Sequence, residues 1–235
     1  MIEINGLTKK FGALTAVNDV SLSINDKECF ALLGLNGAGK TTLINMLSTQ
    51  MSPTSGSANI YGYDLIKDAE TIKNIVNISP QESAEAKNLT VRENLELIAE
   101  LYGIEDNTKI DSILKEFGLT EKSKVFAKNL SGGQLRRLSI ALAIITEPKV
   151  LFLDEPTLGL DVKARKLLWR EIEKLKDKST IILTTHYLEE VESLADKVAI
   201  ISKGKIKVVG TVDEIKTITK TNSLEDAFIN LTEED

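Results

Sequence analysis

One cysteine and one histidine stand in 235 residues, and each scarcity narrows what the chain can do. Cys29 has no second cysteine to pair with, so no intramolecular disulfide holds the fold, and a reducing, intracellular setting is the simplest expectation. No apolar run approaches the roughly 20 residues that span a bilayer. The opening "MIEINGLTKKFG" also lacks the apolar stretch of a secretory signal, so any membrane role is expected to run through a partner. A net charge of -6 leaves no overall basic field to gather nucleic acid or anionic lipid, and no nucleic-acid partner is expected. The one local basic cluster, Lys203, Lys205 and Lys207 around Gly204, reads as a solvated hairpin. There is no internal repeat and no low-complexity tract. What remains is ordinary for a globular protein: 42% hydrophobic and 27% charged residues, in a chain long enough to bury a core.

The order of patterns suggests an antiparallel region joined to an α/β core. "MIEINGL" and "VSLSI" are strand-like, and "ECFALLG" is a continuous apolar run ending at glycine, as a buried parallel strand does. "KTTLINMLS" then has helical spacing, and "PTSGSANIYGYD" reads as a turn followed by an edge strand. From about Val91 to Phe117 the pattern is helical, a candidate inserted lobe. "KVLFLDEP", "STIILTTH" and "DKVAIISKGKIKVVG" resume the strands, separated by the helices "VKARKLLWREIEKLKD" and "YLEEVESLA". The acidic, uncapped ending "NLTEED" is expected to be loosely held.

"GLNGAGKT" fits G-x-x-x-x-G-K-[ST] and lies between a buried strand and a helix, the context in which such a loop binds phosphate. Backbone N–H groups of residues 37 to 41 can cradle phosphate oxygens at the helix N-terminus. The candidate binding residues are Asn36, Gly37, Ala38, Gly39, Lys40, Thr41 and Thr42. Lys40 adds charge toward the β- and γ-phosphates, and the Thr41 hydroxyl can ligate Mg²⁺. "VLFLDEP" delivers Asp154 and Glu155 at a strand's C-terminal edge, where α/β sheets bind ligands. Asp154 would hold Mg²⁺ and Glu155 would polarise the attacking water. His186 ends "TIILTTH" at the same sheet edge, where an imidazole could hydrogen-bond the γ-phosphate and orient water. A second glycine-serine segment, "LSGGQ", offers Ser131, Gly133 and a helix start near Gly132 with no phosphate of their own, while Ser131 can also cap that helix.

These motifs, in this order and over essentially the whole chain, resemble a nucleotide-binding subunit of an ATP-binding cassette (ABC) transporter: a Walker A loop, "LSGGQ", Walker B "LFLDEP", "LGLD" and a switch histidine. The resemblance implies an ATPase with a P-loop NTPase core of mostly parallel sheet, an N-terminal antiparallel β region and an inserted helical lobe. The expected boundaries are about 1–81 with 149–220 for the core and β region, about 82–148 for the lobe, and 221–235 for a short tail. It implies that Phe11 in "KKFG" stacks on adenine, that Gln81 in "ISPQ" is the lid glutamine that contacts Mg²⁺ and couples to the membrane subunit, and that Asp161 in "LGLD" communicates between sites. Phe11 stands where tyrosine is common and Leu35 where proline is common; stacking needs only the aromatic face. In the family, "LSGGQ" contacts ATP held by a second copy, so Ser131, Gly132, Gly133, Gln134 and Asp161 are expected to act in trans in a head-to-tail dimer.

The resemblance further implies a separate polytopic permease, with the cassette peripheral on the inner face of the cell membrane and docking through the loop from Gln81 to Thr90. "NLTVRENLELIAELYG" and the short ending "SLEDAFINLT" look most like cassettes of drug, polysaccharide or peptide exporters; importer cassettes often continue into a further C-terminal domain. The alternative is a cassette ATPase acting on ribosomes or DNA, but such proteins usually pair two cassettes in one chain or insert a long coiled coil. A GTPase would need an N-K-x-D motif, which the sequence lacks.

Overall fold

In a computed structural model that describes residues 1–82 and 85–233, the strands divide into two sheets. The first is antiparallel and joins β1 (Ile2–Phe11), β2 (Leu14–Ile24), β4 (Ser55–Ile60) and β5 (Tyr63–Asp64) in the order β2-β1-β4-β5. The second contains β3 (Cys29–Leu33), β6 (Val76–Ser79), β7 (Val150–Asp154), β8 (Thr180–Thr185), β9 (Lys197–Ser202) and β10 (Lys205–Gly210). Its order is β10-β9-β3-β8-β7-β6, parallel except for the β9–β10 hairpin.

Alternation along the parallel strands fixes two cores. Cys29, Ala31 and Leu33 of β3 face one way with Leu151, Leu153, Ile181 and Leu183, whereas Phe30 and Leu32 face the other with Phe152 and Ile182. The second face meets the antiparallel sheet and α1 (Lys40–Leu47), whose Leu43, Ile44, Met46 and Leu47 are buried there. The first face is covered by helices, among them α6 (Val162–Leu175) and α7 (Leu188–Leu194). The helical insert comprises α3 (Val91–Leu101), α4 (Asn107–Glu116) and α5 (Gly132–Ile144), and α5 packs both on α3 and on β6. Thr90 and Glu93 cap α3 reciprocally, a device worth about 1 kcal/mol.

Two readings of the sequence change. β4 is not an edge strand, because the chain turns at Tyr61 and Gly62, both at positive φ, and the two-residue β5 covers its outer side. The ending "NLTEED" is largely helical: α9 runs Leu224–Glu233, and Leu224, Ala227, Phe228 and Leu231 recur at helical spacing against the core. Glu234 and Asp235 of that ending lie outside the described residues. The short α2 (Ala69–Lys73), β6 and α8 (Val212–Thr219) had no distinct signal. The lysine cluster is the expected hairpin, with Lys203 and Gly204 at positive φ in the β9–β10 turn.

Candidate active site

The loop after β3 bends into α1 at Gly39, where φ is 103°. A Cβ at Gly39 would lie 2.4 Å from the Ala16 carbonyl oxygen, so no other residue fits without moving β2. Gly204 abuts the same carbonyl, at 2.7 Å from its would-be Cβ. The Gly204 N–H donates to Ala38 O at 3.0 Å, and Asn18 N–H donates to Gly204 O at 2.8 Å. The hairpin tip and β2 thus brace the loop from two sides. Above it opens a cleft of about 410 Å³ lined by Phe11, residues 35–42, Gln81 and Glu155. Asn36, Gly37, Ala38, Gly39, Lys40, Thr41 and Thr42 all line this cleft.

At the base of the cleft five side chains form two sets of contacts. Lys40 is buried, donating to Gly34 O at 2.7 Å and Leu35 O at 3.2 Å, with Nζ 3.0 Å from Oε1 of Glu155. That last contact is an ion pair without hydrogen-bond alignment, so Oε1 is a buried acceptor still lacking an aligned donor. Oε2 of Glu155 lies 2.9 Å from Nδ1 of His186. Thr41 Oγ1 donates to Asp154, 2.9 Å from Oδ2 and 3.2 Å from Oδ1. Lys40, Asp154, Glu155 and His186 therefore gather at one sheet edge.

Three further residues shape this centre without having been evident in the sequence. The Thr184 hydroxyl donates to Asp154 Oδ1, while the Glu155 N–H is shared between Thr184 O at 3.1 Å and Thr184 Oγ1 at 3.0 Å. Glu155 needs this grip because its φ is +47°, a strained value for a side-chain-bearing residue that costs about 1–3 kcal/mol. Arg136 donates Nε to Pro156 O at 2.9 Å and Nη2 to Asp154 O at 2.7 Å, and Nη1 to Pro80 O. Glu190 of α7 is fully buried and accepts from Trp169 Nε1 at 3.2 Å, and burial pushes its carboxyl above the usual range. "LRRLSIALA", "TTH" and "YLEEVESLA" did display these polar residues among apolar ones, but not what they grip.

The "LSGGQ" segment lines a different cleft, of about 240 Å³, with Ser131, Gly132, Gly133, Gln134 and Asp161 on its walls. The two clefts have no lining residue in common. Ser131 caps α5: its hydroxyl accepts from Gln134 N–H at 3.4 Å, and the Gln134 side-chain oxygen accepts from Ser131 N–H at 3.0 Å. Asp161 caps α6, accepting from Ala164 N–H at 2.8 Å. Both side chains thus have local work as well as a cleft-facing position.

The first cleft suits a nucleoside triphosphate. Phe11 offers a half-exposed aromatic ring on one wall, while the other has the positive end of α1 and the Lys40 ammonium. Thr41 and Asp154 present only oxygens, the donor set of a hard divalent cation.

The profile of the ABC transporter family matches residues 17–158, more than half of the chain. The chain belongs to the ABC transporter family. This cassette is 36% identical over 222 residues to the daunorubicin resistance ATP-binding protein DrrA3 of Streptomyces coeruleorubidus, covering 93% of this chain and 70% of that one. It matches the solved ATP-binding subunit of an ABC transporter with a TM-score of 0.87 and 31% identity, over 98% of this chain and 99% of that one. A dimeric ATP-binding cassette in a post-hydrolysis state, bound to ADP and Pi, matches with a TM-score of 0.80 and 25% identity over 90% and 98% of the two chains. The cassette is thus an ATP-binding, ATP-hydrolysing subunit, on a mixed α/β fold with an antiparallel sheet, a parallel sheet and a helical insert.

Proposed function

We propose that this cassette energises an exporter, pairing head to tail with a second copy or a homologous cassette and driving a separate polytopic permease. The carrying observation is that Ser131, Gly132 and Gly133 line a cleft sharing no residue with the one built on Lys40. A phosphate-binding segment outside its own chain's nucleotide cleft is suited to another chain's nucleotide. Export is favoured by the likeness to a drug-resistance ATP-binding protein, and nothing supports the ribosome or DNA alternative.

In this reading Phe11 stacks on the base, the amides of residues 37 to 41 and Lys40 hold the phosphates, and the partner's Ser131 segment closes the site. Glu155 orients and deprotonates water, and His186, 2.9 Å from its carboxylate, fixes its direction and can contact the γ-phosphate. Mg²⁺, when bound with the nucleotide, neutralises phosphate charge; Thr41 and Asp154 would hold it, with Gln81 at the cleft rim. Asp161 passes the state of one site to the other. The core at about 1–81 and 149–220, the lobe at about 82–148 and the ending at 221–235 would act as one unit.

Among the described residues no helix is long and apolar enough to cross a membrane. The cassette would therefore sit on the inner membrane face through its permease, docking by the 81–90 loop, of which residues 83 and 84 lie outside the described residues. Expression with and without a candidate permease, a polytopic membrane protein sought in the neighbouring reading frame, tests this reading. Recovery in the membrane fraction should depend on that partner; equal recovery without it overturns the proposal.

A further inference from the structure

We infer that Arg136 is a positioning residue for hydrolysis, tying the helix that starts with the "LSGGQ" segment to the strained turn that aims Glu155 and to the strand end that carries Gln81. The geometry is unusually specific. Arg136 lies five residues beyond Ser131, on the second turn of α5. Its Nε and Nη2 bind the carbonyls of Pro156 and Asp154, the residues on either side of Glu155, and Nη1 binds the carbonyl of Pro80, immediately before Gln81. Three elements thus meet on one planar cation.

Only a guanidinium meets this demand, since its donors diverge in a fixed fork, whereas a lysine ammonium is a single point of charge. The three acceptors are backbone carbonyls, so the contact restrains main chain directly rather than pairing with a mobile carboxylate. Glu155 sits at φ +47° between the two anchored carbonyls, and its N–H is held from the other side by Thr184. A shift of α5 as a partner's nucleotide seats on Ser131 is passed by Arg136 to the Glu155 turn. Misplacement by about 1 Å costs on the order of 10²-fold in rate.

The inference rests on Glu155 being the water-orienting base, and the test separates the two. Arg136→Met and Arg136→Lys are measured for ATP affinity, turnover and backbone amide exchange without nucleotide. Turnover should fall roughly 10- to 100-fold in both, with ATP affinity held within about threefold. In the nucleotide-free protein, amide exchange should quicken in peptides covering 78–82 and 153–158 and stay unchanged in α4. In a Glu155→Gln background, Arg136→Met should lower the residual rate by a smaller factor than in the parent; an equal factor in both backgrounds overturns the inference. Full activity in Arg136→Lys overturns the inference, as does loss of ATP binding in step with turnover or quickened exchange throughout the chain. If Glu155→Gln itself turns over at the parent rate, the reading of Glu155 fails; if it is inactive while Arg136→Met is fully active, only the role of Arg136 fails.

Discussion

Lys40 and Glu155 form a buried ion pair, Nζ to Oε1 at 3.0 Å, with 6% of each side chain exposed. The ammonium that faces the phosphate site therefore also restrains the carboxylate beside it. Removing one partner of a buried pair typically costs about 3–5 kcal/mol, because the other charge is left uncompensated. Lys40 keeps two carbonyl contacts in any case, so its position does not depend on Glu155 alone.

Glu155→Gln keeps the shape of the turn and removes the basic oxygen. ATP binding should persist while turnover falls by about 10² or more, in line with the loss of a general base. Size-exclusion chromatography with ATP and Mg²⁺ should show a lasting dimer. A variant that binds ATP but stays monomeric, or one that hydrolyses at the parent rate, contradicts the assignment.

His186→Ala removes the only imidazole and frees Oε2 of Glu155. Turnover should drop by about 10², as loss of a preorganised transition-state contact commonly does. ATP affinity and melting temperature should change little. A parallel fall of affinity, turnover and melting temperature would show that the imidazole merely supports the fold.

Lys40→Ala and Gly133→Asp should each be inactive alone. A Cβ at Gly133 would come 3.2 Å from that of Ala164, a tight contact, so the melting temperature of Gly133→Asp is measured alongside its activity. In a head-to-tail dimer, a mixture of the two variants confines both defects to one site and leaves the other whole. Phosphate release should recover in the mixture, with dimer formation and ATP occupancy followed alongside. Fully occupied mixed dimers with no recovery would count against the shared site.

Burial pushes the Cys29 thiol up to about 12, against an ordinary value of 9.0. The unfolded chain releases this proton near the ordinary value and the folded chain retains it, so stability falls as pH rises from about 9 toward 12. At pH 8 a thiol reagent should label the native protein far more slowly than the protein in guanidinium chloride. Rapid labelling of the native state would show that β3 is not sealed.

What the sequence disclosed was local, and what it hid was not. The Lys40 loop is contiguous, and the carboxylates end an apolar strand, so residue types and spacing sufficed to find them. Arg136 is different: its acceptors are 18, 20 and 56 residues away, and all are backbone carbonyls, which leave no mark on the identity of the residues that carry them. β5 is two residues long, below any readable alternation, and its absence from the reading made β4 look like an edge. The acidic ending concealed a helix because three of the four apolar anchors of α9 lie upstream of it, among acidic residues such as Glu225 and Asp226.

The carbonyl of Ala16 is held within contact distance of both Gly39 and Gly204. No side chain intervenes, so no rotamer can alter the separation between the β2 wall of the cleft and the loop that faces the phosphates. Backbone contact and the hydrogen bonds of Gly204 with Ala38 and Asn18 set it instead. A side chain grown at either glycine would push that carbonyl, and the β2 wall with it, away from the loop, so the narrowness of the cleft here is written in two missing β-carbons.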